Sequence, residues 1–309
     1  MDPGFVVALR ERCATLGPFD EPFEAAVAHL DPATCARVIG CVTIGSVPLG
    51  AATLARLPAL RWVGCFGSGY EGVDLAAARS RGVQVTHSRA ANADSVADLA
   101  LGLLIASVRG LHAGRLRLDS GGWQGNTAER NVPVRGLTGR HAGVYGLGAI
   151  GERIARRAEA FGMVVGYHNR HARADVAYPY SPTLLDLARW ADVLVVAVRA
   201  DAGNRHAVDA EVLAALGADG HVVNIARGAV IDEAALVAAL ESGAIAGAGL
   251  DVFEHEPRIP AALLALPNVA LTPHIGGATL QAREAMERAV LANLDALLAG
   301  RALPTPVPA

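Results

Sequence analysis

Residues 144–151 read Val-Tyr-Gly-Leu-Gly-Ala-Ile-Gly, a G-x-G-x-x-G pattern between an apolar strand pattern and an amphipathic helix pattern. The strand pattern covers 142–145, the helix pattern covers 152–161, and a second strand pattern follows at 163–167. In such a unit the first glycine allows a tight turn, the second lets the backbone approach a pyrophosphate, and the third lets the helix pack closely on the strand. The pattern therefore predicts a dinucleotide site in an α/β unit, with a purely structural glycine turn as the alternative.

The composition argues against several classes of function. The chain has 309 residues, is 52% hydrophobic and carries a net charge of −3, which suits two domains. It has no basic stripe, no long uncharged apolar run and no signal-peptide pattern, so we expect no nucleic-acid partner and no membrane span. Four cysteines lack the spacing of a metal site, which favours reduced thiols in a cytoplasmic protein without a metal: Cys13, Cys35, Cys41 and Cys65.

All 27 basic residues are arginines, and the sequence contains no lysine. This excludes a Schiff-base lysine, a phosphate-loop lysine and a lysine general base. Any cationic group in a binding site must be an arginine, whose planar guanidinium suits carboxylates and phosphates.

Strand and helix patterns alternate along the chain in two series, which predicts an α/β fold with parallel sheets covered on both faces. The expected strands of the first series are 5–9, 38–42, 62–66 and 83–86. Those of the second are 142–145, 163–167, 193–198, 220–225, 245–250 and 269–272. The expected helices between them are 21–29, 53–57, 75–79, 152–161, 184–190, 210–215 and 233–241.

Two further helix patterns set the domain organisation. A long, apolar pattern over 94–118 predicts a buried helix, followed by an irregular stretch over 119–126. A last helix over 280–298 is expected to return to the first domain, and the tail from residue 303 is expected to be extended. We therefore predict a discontinuous domain, 1–92 with 277–309, and an inserted dinucleotide-binding domain, 93–276.

Three polar residues follow predicted strands of the second series, namely Arg227, Glu256 and His274. Ligands of doubly wound sheets lie beyond the carboxyl ends of the strands, so we expect these residues to converge. A guanidinium can bind a substrate carboxylate through two hydrogen bonds, and a histidine can protonate a carbonyl oxygen. A neighbouring carboxylate would hold the histidine tautomer. Taken singly, each residue could instead be an ordinary loop residue.

The chain resembles the D-isomer-specific 2-hydroxyacid dehydrogenases along most of its length. The shared motifs are Gly67-Ser-Gly-Tyr-Glu-Gly-Val-Asp74, Asp94-Ser-Val-Ala-Asp98, 146–151, Asn224-Ile-Ala-Arg-Gly228, 249–257 and Pro273-His-Ile-Gly-Gly-Ala278. The resemblance implies two Rossmann-like, doubly wound domains, one of them flavodoxin-like, hinged around a cleft. It also implies a homodimer formed through the long helix and the loop after it.

The same resemblance implies roles for individual residues. Arg227 would bind the substrate carboxylate, Glu256 would support the histidine, and His274 would be the acid/base. Backbone N–H groups of Gly67, Ser68 and Gly69 would also bind that carboxylate, and Asp251 would lie near the nicotinamide. The full set expected around the coenzyme is Gly146, Leu147, Gly148, Ala149, Ile150, Gly151, Asn169, Arg170, Val198, Arg199, Ala226, Asp251, His274, Gly276 and Gly277.

The end of the second strand of the inserted domain bears on the choice of coenzyme. NAD-binding units place Asp or Glu there, on the ribose 2′-hydroxyl, but no acid occurs between Glu159 and Asp175. Asn169 and Arg170 occupy the position, with Arg173 close by, and an arginine would pair with a 2′-phosphate. We therefore expect NADPH, with NADH as the alternative if Arg170 points to solvent.

Arg227 and His274 together predict the reduction of a small 2-keto acid. The choice of glyoxylate or hydroxypyruvate as the substrate rests only on the resemblance to the family. Alternatives left open are a 3-phosphoglycerate-type or other NAD-dependent 2-hydroxyacid dehydrogenase and a non-catalytic dinucleotide-sensing protein. The sequence leaves open the natural substrate, the physiological direction and the oligomeric state. Two local departures from the family, at 88–91 and 199–201, have no assigned effect.

Overall fold

A computed structural model describes residues 2–123 and 134–308. The chain divides into two compact units, Met1–Asn92 with Gly277–Ala309 and Ala93–Gly276. Both units contain parallel sheets with helices, which confirms the α/β fold class. Part of the predicted irregular stretch, residues 124–126, lies outside the described residues, as does Ala309 of the predicted extended tail.

The first unit is built on a parallel sheet in the order β1-β2-β3. Its strands are β1 (Gly40–Ile44), β2 (Trp62–Phe66) and β3 (Gln84–His87). Its helices are α1 (Pro3–Arg10), α2 (Phe23–His29), α3 (Pro32–Cys35), α4 (Ala51–Arg56), α5 (Leu75–Ser80) and α13 (Leu280–Leu298). Residues Thr305 and Val307 of the chain's last segment bond to β3, so the tail lies along this sheet.

Side chains alternate across β2 and separate two layers of core. Trp62 is buried with Phe5, Leu294 and other residues of α1 and α13, while Val63 faces the cluster formed with α2, α4 and α5. The predicted return of α13 to this unit is therefore confirmed. The predicted strand at 5–9 is wrong, because those residues lie in α1. Asp2 caps that helix by accepting a hydrogen bond from Gly4, and Pro3 occupies its first turn.

The second unit has a six-stranded parallel sheet in the order β5-β4-β6-β7-β8-β9. The strands are β4 (His141–Tyr145), β5 (Val164–His168), β6 (Val193–Val196), β7 (His221–Asn224), β8 (Gly247–Leu250) and β9 (Val269–Leu271). The helices are α6 (Ala93–Val108), α7 (Leu111–Asp119), α8 (Ala149–Ala160), α9 (Leu184–Trp190), α10 (Ala210–Leu216), α11 (Glu233–Glu241) and α12 (Ala261–Ala265), with a 3-10 turn at Gly228–Val230.

The strand order of the second unit reverses at β4. The chain runs from β4 outward to β5, then returns to place β6 on the other side of β4. Helices α6 and α8 cover one face, and α9, α10 and α11 cover the other. In open parallel sheets such a switch point opens a crevice at the carboxyl ends of the strands, which is where ligands bind.

The apolar pattern over 94–118 forms two helices rather than one. Gly110, between α6 and α7, has a left-handed φ of 58°, which glycine adopts without steric cost. Helix α6 is largely buried, as its composition predicts. Within the described residues, no single helix is long and apolar enough to cross a membrane. The pair α6 and α7, bent by 60°, would be long and apolar enough only if the two helices were counted together.

His221 is the first residue of β7, so it lies at the end of the six-stranded sheet away from the strand carboxyl ends. It is buried against α6. Its Nδ1 lies 2.9 Å from the Ser107 hydroxyl, and burial lowers the pKa of His221 to about 4 from an ordinary 6.5. The folded chain therefore keeps this imidazole neutral at pH values where the unfolded chain protonates it.

Acidification from pH 7 to pH 5 should lower the free energy of unfolding by about 2 kcal/mol through His221. The sign follows from the lowered pKa, since the unfolded state binds the extra proton and stability is lost as the pH falls below the unfolded value. Urea unfolding across this range tests it, with His221→Asn as the comparison. The variant should show a shallower pH dependence, and equal slopes for both proteins would refute this role.

Candidate active site

The predicted glycine turn follows β4 and has the three properties that its pattern requires. Gly146 has a φ of 101°, and a Cβ atom there would lie 2.4 Å from the backbone N of Val198. A Cβ on Gly151 would lie 2.2 Å from the Gly146 carbonyl oxygen, so helix α8 packs directly on the turn. A Cβ on Gly148 would meet nothing within 4 Å, which leaves open space above the loop.

Helix α8 begins at Ala149 without a side-chain cap, since Gly148 is its N-cap residue. The first N–H groups of a helix have no intrahelical acceptor, so those at the α8 terminus are available to an anion. Open space above Gly148 and an uncapped helix terminus together fit a pyrophosphate. The N–H of Leu147 is already used, because it donates to Asn169 Oδ1 at 2.7 Å.

The end of β5 carries the residues expected to choose between coenzymes. The Arg170 side chain is 89% exposed, and its Nη1 lies 3.7 Å from Asp201 Oδ2. Arg173 is bound by Glu152 and Asp175 and donates to the Leu147 carbonyl oxygen at 3.0 Å. The hydrogen bonds that Arg173 donates to Asp175 and Glu152 raise its pKa. Arg173 is thus tied to the glycine loop, while the Arg170 side chain is exposed and lies beside Asp201.

Arg227 lies in the turn after β7, where Asn224 fixes the backbone. The Asn224 side chain, 1% exposed, donates to the Arg227 carbonyl oxygen at 3.0 Å and accepts from the Ala226 N–H at 3.0 Å. Arg227 is half-buried, and its Nη1 donates to the Ala226 carbonyl oxygen at 2.7 Å. Asn224 was not among the predicted site residues, although an amide that closes an apolar strand is a recognisable signal.

His274 and Glu256 meet, although 18 positions separate them. His274 Nδ1 lies 2.7 Å from Glu256 Oε2, and Glu256 Oε1 accepts a hydrogen bond from the Phe253 N–H at 3.1 Å. With Nδ1 facing the carboxylate, the Nε2 atom is the ring nitrogen available to a substrate. Such an imidazole can donate a proton from Nε2 while Glu256 holds its orientation.

Asp251 supports this histidine through the backbone. Its carboxylate, in a residue 2% exposed, accepts hydrogen bonds from the N–H groups of Ile275 and Gly276, both at 2.8 Å, and from the Thr272 hydroxyl at 2.7 Å. His274 itself has a left-handed φ of 52°, a strained backbone that surrounding contacts must maintain. The structure therefore gives Asp251 a positioning role that the sequence did not predict.

The loop that carries Glu256 is fixed to neighbouring segments at two points. A Cβ on Gly228, in the turn after Arg227, would lie 1.9 Å from the Phe253 carbonyl carbon. Glu254 accepts from His206 Nε2 at 2.8 Å and pairs with Arg205. Burial tends to raise the pKa of Glu254, but these hydrogen bonds outweigh it and the pKa is lowered. The Arg227 turn and the Glu256 loop therefore pack as one body.

The remaining coenzyme candidates have distinct locations. Val198 packs on the glycine turn, Ala226 is buried, and a Cβ on Gly276 would lie 3.0 Å from the Asp251 carboxylate. Arg199 is exposed in the loop after β6. Gly277 belongs to the first unit, where a Cβ atom on it would lie 3.1 Å from Asn92 Nδ2.

The predicted carboxylate-binding loop of the first unit, Gly67-Ser68-Gly69, follows β2. The Ser68 hydroxyl donates to Asn92 Oδ1 at 2.7 Å, and the Ser68 carbonyl oxygen lies 2.9 Å from His87 Nδ1. Gly67 has a φ of 113°, and its carbonyl oxygen accepts from the Ser88 N–H at 2.8 Å. These bonds fix the loop, and its role in substrate binding stays a prediction.

In the described part of the chain, no group of three or more His, Cys, Asp or Glu side chains is placed to hold a metal ion.

A family model and individual known proteins indicate the same protein family for this chain. Residues 101–276 match the family model for the NAD-binding domain of D-isomer specific 2-hydroxyacid dehydrogenases. A glyoxylate/hydroxypyruvate reductase from Arabidopsis thaliana is 41% identical over 87% of this chain and 84% of its own. A 2-ketogluconate reductase from Gluconobacter oxydans is 40% identical over 87% and 86%.

A solved structure shows the same likeness. It is that of an NADPH-dependent glyoxylate/hydroxypyruvate reductase from Sinorhizobium meliloti in complex with NADP and malonate. It has a TM-score of 0.89 and 40% identity, over 99% of this chain and 94% of that one.

Proposed function

The chain belongs to the D-isomer-specific 2-hydroxyacid dehydrogenase family, and on that premise we propose that it reduces a short 2-keto acid of the glyoxylate or hydroxypyruvate type with NADPH. The product is the D-2-hydroxy acid. Membership makes the chain an NAD(P)-dependent oxidoreductase. The observation that carries the proposal is the His274–Glu256 pair at 2.7 Å, on the same sheet edge as Arg227 and the glycine turn.

Each site residue has a defined part in this proposal. The bound coenzyme supplies a hydride to the 2-carbon of the substrate. Arg227 binds the substrate carboxylate and orients the keto group, since a guanidinium matches a carboxylate in geometry and charge. His274 donates a proton from Nε2 to the keto oxygen, and Glu256 stabilises the protonated imidazole beforehand. We assign substrate binding also to Gly67, Ser68 and Gly69.

The preference for NADPH is supported by the end of β5. Asn169 stands where a carboxylate would repel a 2′-phosphate, and its side chain is turned toward the Leu147 N–H. Arg170 offers an exposed guanidinium at the adjacent position. The related reductase from Sinorhizobium meliloti is described as NADPH-dependent, which agrees with this choice.

Two broader assignments belong to the same proposal. We propose a homodimer formed through α6 and α7, because α7 has no buried residue and exposes Leu111, Leu116 and Leu118. We also propose a cytoplasmic location, which fits the four cysteines being free thiols.

The proposal is tested by following NADPH consumption with glyoxylate, hydroxypyruvate, pyruvate, 2-ketogluconate and a bulky aromatic keto acid. We expect the highest kcat/KM with one of the two- or three-carbon acids. A higher value with 2-ketogluconate would favour the sugar-acid activity named for the Gluconobacter oxydans relative. Tight dinucleotide binding without turnover on any keto acid would contradict the enzymatic proposal.

Replacing Arg170 by alanine should raise the KM for NADPH by about tenfold or more while leaving the KM for NADH nearly unchanged. The reason is that only NADPH carries the phosphate that this guanidinium would bind. Arg189→Ala is a matched control, since Arg189 is also exposed and lies 3.6 Å from a carboxylate, that of Asp186. Equal changes for both coenzymes in the Arg170 variant would remove Arg170 from the 2′-phosphate site.

A further inference from the structure

The loop after β6 places a carboxylate beside the guanidinium that we assign to the 2′-phosphate. Asp201 Oδ2 lies 3.7 Å from Arg170 Nη1, and both side chains are exposed. Asp201 belongs to the segment 199–201, which directly follows the coenzyme candidate Val198. This acidic residue therefore faces the part of the site where coenzymes with and without a phosphate differ.

The position of Asp201 is built into the fold of its loop. The buried Asn204 side chain accepts from the Asp201 N–H at 2.9 Å and donates to the Arg199 carbonyl oxygen at 2.7 Å. Asp201 Oδ1 accepts from the Gly203 N–H at 2.9 Å. With one oxygen held by its own loop, the other is directed toward Arg170.

The two guanidinium groups after β5 pair with different carboxylates, and that of Arg170 pairs with Asp201. Arg173, the other guanidinium after β5, is bound by Glu152 and Asp175. The charges of both Asp201 and Arg170 act on Tyr145, at the end of β4. Burial raises the pKa of Tyr145, the Asp201 charge raises it further, and the Arg170 charge lowers it. The Asp201 carboxylate thus lies close to the strand ends at the switch point of the sheet.

We propose that Asp201 competes with the coenzyme 2′-phosphate for Arg170 and so limits how strongly this chain prefers NADPH to NADH. The inference rests on the proposed function. A carboxylate and a phosphate are both anions that pair with a guanidinium, so the phosphate must displace Asp201 or bind beside it. NADH lacks that phosphate, so it can bind without displacing Asp201 from Arg170. Asp201 is therefore a specificity-determining residue rather than a catalytic one.

The test is Asp201→Asn, which removes the charge but keeps an oxygen that can accept from the Gly203 N–H. Calorimetry with 2′,5′-ADP and 5′-AMP isolates the 2′-phosphate, since the two nucleotides differ only in that group. At low ionic strength we expect the variant to bind 2′,5′-ADP about threefold to tenfold more tightly and 5′-AMP nearly unchanged. The gain should shrink in high salt, because the pair is exposed.

A control separates this effect from a general change of charge. Glu284→Gln also removes one carboxylate from an exposed ion pair, that with Arg288 at 3.5 Å on α13, and should leave both affinities unchanged. Unchanged 2′,5′-ADP binding in Asp201→Asn, or equal gains for both nucleotides, would overturn the inference. If the wild-type protein still reduced keto acids with NADPH, the proposed function would stand. Failure of that reaction would overturn the proposed function and, with it, this inference.

Discussion

Replacing His274 by glutamine is expected to lower kcat/KM for keto-acid reduction by about a thousandfold or more. Glutamine can form hydrogen bonds but cannot deliver a proton to a developing alkoxide. The Nε2 atom is the reacting group because Nδ1 is held by Glu256 at 2.7 Å. Coenzyme binding should change little, since the glycine turn and the α8 terminus do not depend on the imidazole.

His255→Gln is the matched control for this variant. His255 is an exposed histidine adjacent to Glu256, and nothing in the site assigns it a proton-transfer role. We expect it to retain nearly full activity. A His274 variant with normal turnover, or equal losses in both variants, would show that another group protonates the substrate.

Replacing Arg227 by glutamine is expected to lower kcat/KM by a similar factor, about a thousandfold, with a large increase in KM. The variant loses the cation that neutralises the substrate carboxylate, and an amide gives weaker, uncharged hydrogen bonds. The Asn224 bonds to this turn involve backbone groups only, so the turn itself should persist.

Comparison with Arg258→Gln, a change at an exposed arginine beyond Glu256, controls for loss of one positive charge. Dinucleotide affinity should be the same in both variants and in the wild type. A loss of coenzyme binding in the Arg227 variant, with substrate KM unchanged, would show that this guanidinium binds the coenzyme instead.

Much of the second unit could be predicted because its signals are local. The apolar strand patterns, the helix periods and the glycine turn each occupy a few consecutive residues, and the observed strands fall on the predicted ones. Once the strands are parallel and adjacent, residues just after β7, β8 and β9 must lie along one sheet edge. Arg227, Glu256 and His274 could be selected on that basis.

The errors arose where local patterns are ambiguous. The short apolar run at 5–9 suits either a strand or a helix, and the decisive features were Asp2 and Pro3 at its start. The apolar pattern from 94 to 118 continues through Gly110, and a single glycine does not by itself end a helix. Its left-handed backbone is visible only in the structure.

The supporting contacts of the site could not be predicted, because they join distant positions. Asp251 holds the turn of His274 across more than 20 residues, and the strained φ of His274 has no signature in composition. The Asp201–Arg170 pair joins two exposed loops whose geometry depends on the buried side chain of Asn204. Loop conformations of this kind follow from tertiary packing rather than from local propensity.

The central claim is that Arg227 and His274 act on one substrate beside a coenzyme bound at the glycine turn. The most direct measurement is a crystal structure with NADP and oxamate, an unreactive analogue of a 2-keto acid. We expect the oxamate carboxylate on the Arg227 guanidinium and its amide oxygen within about 3 Å of His274 Nε2. Oxamate bound away from both side chains, or coenzyme phosphates away from Gly148, would contradict the claim.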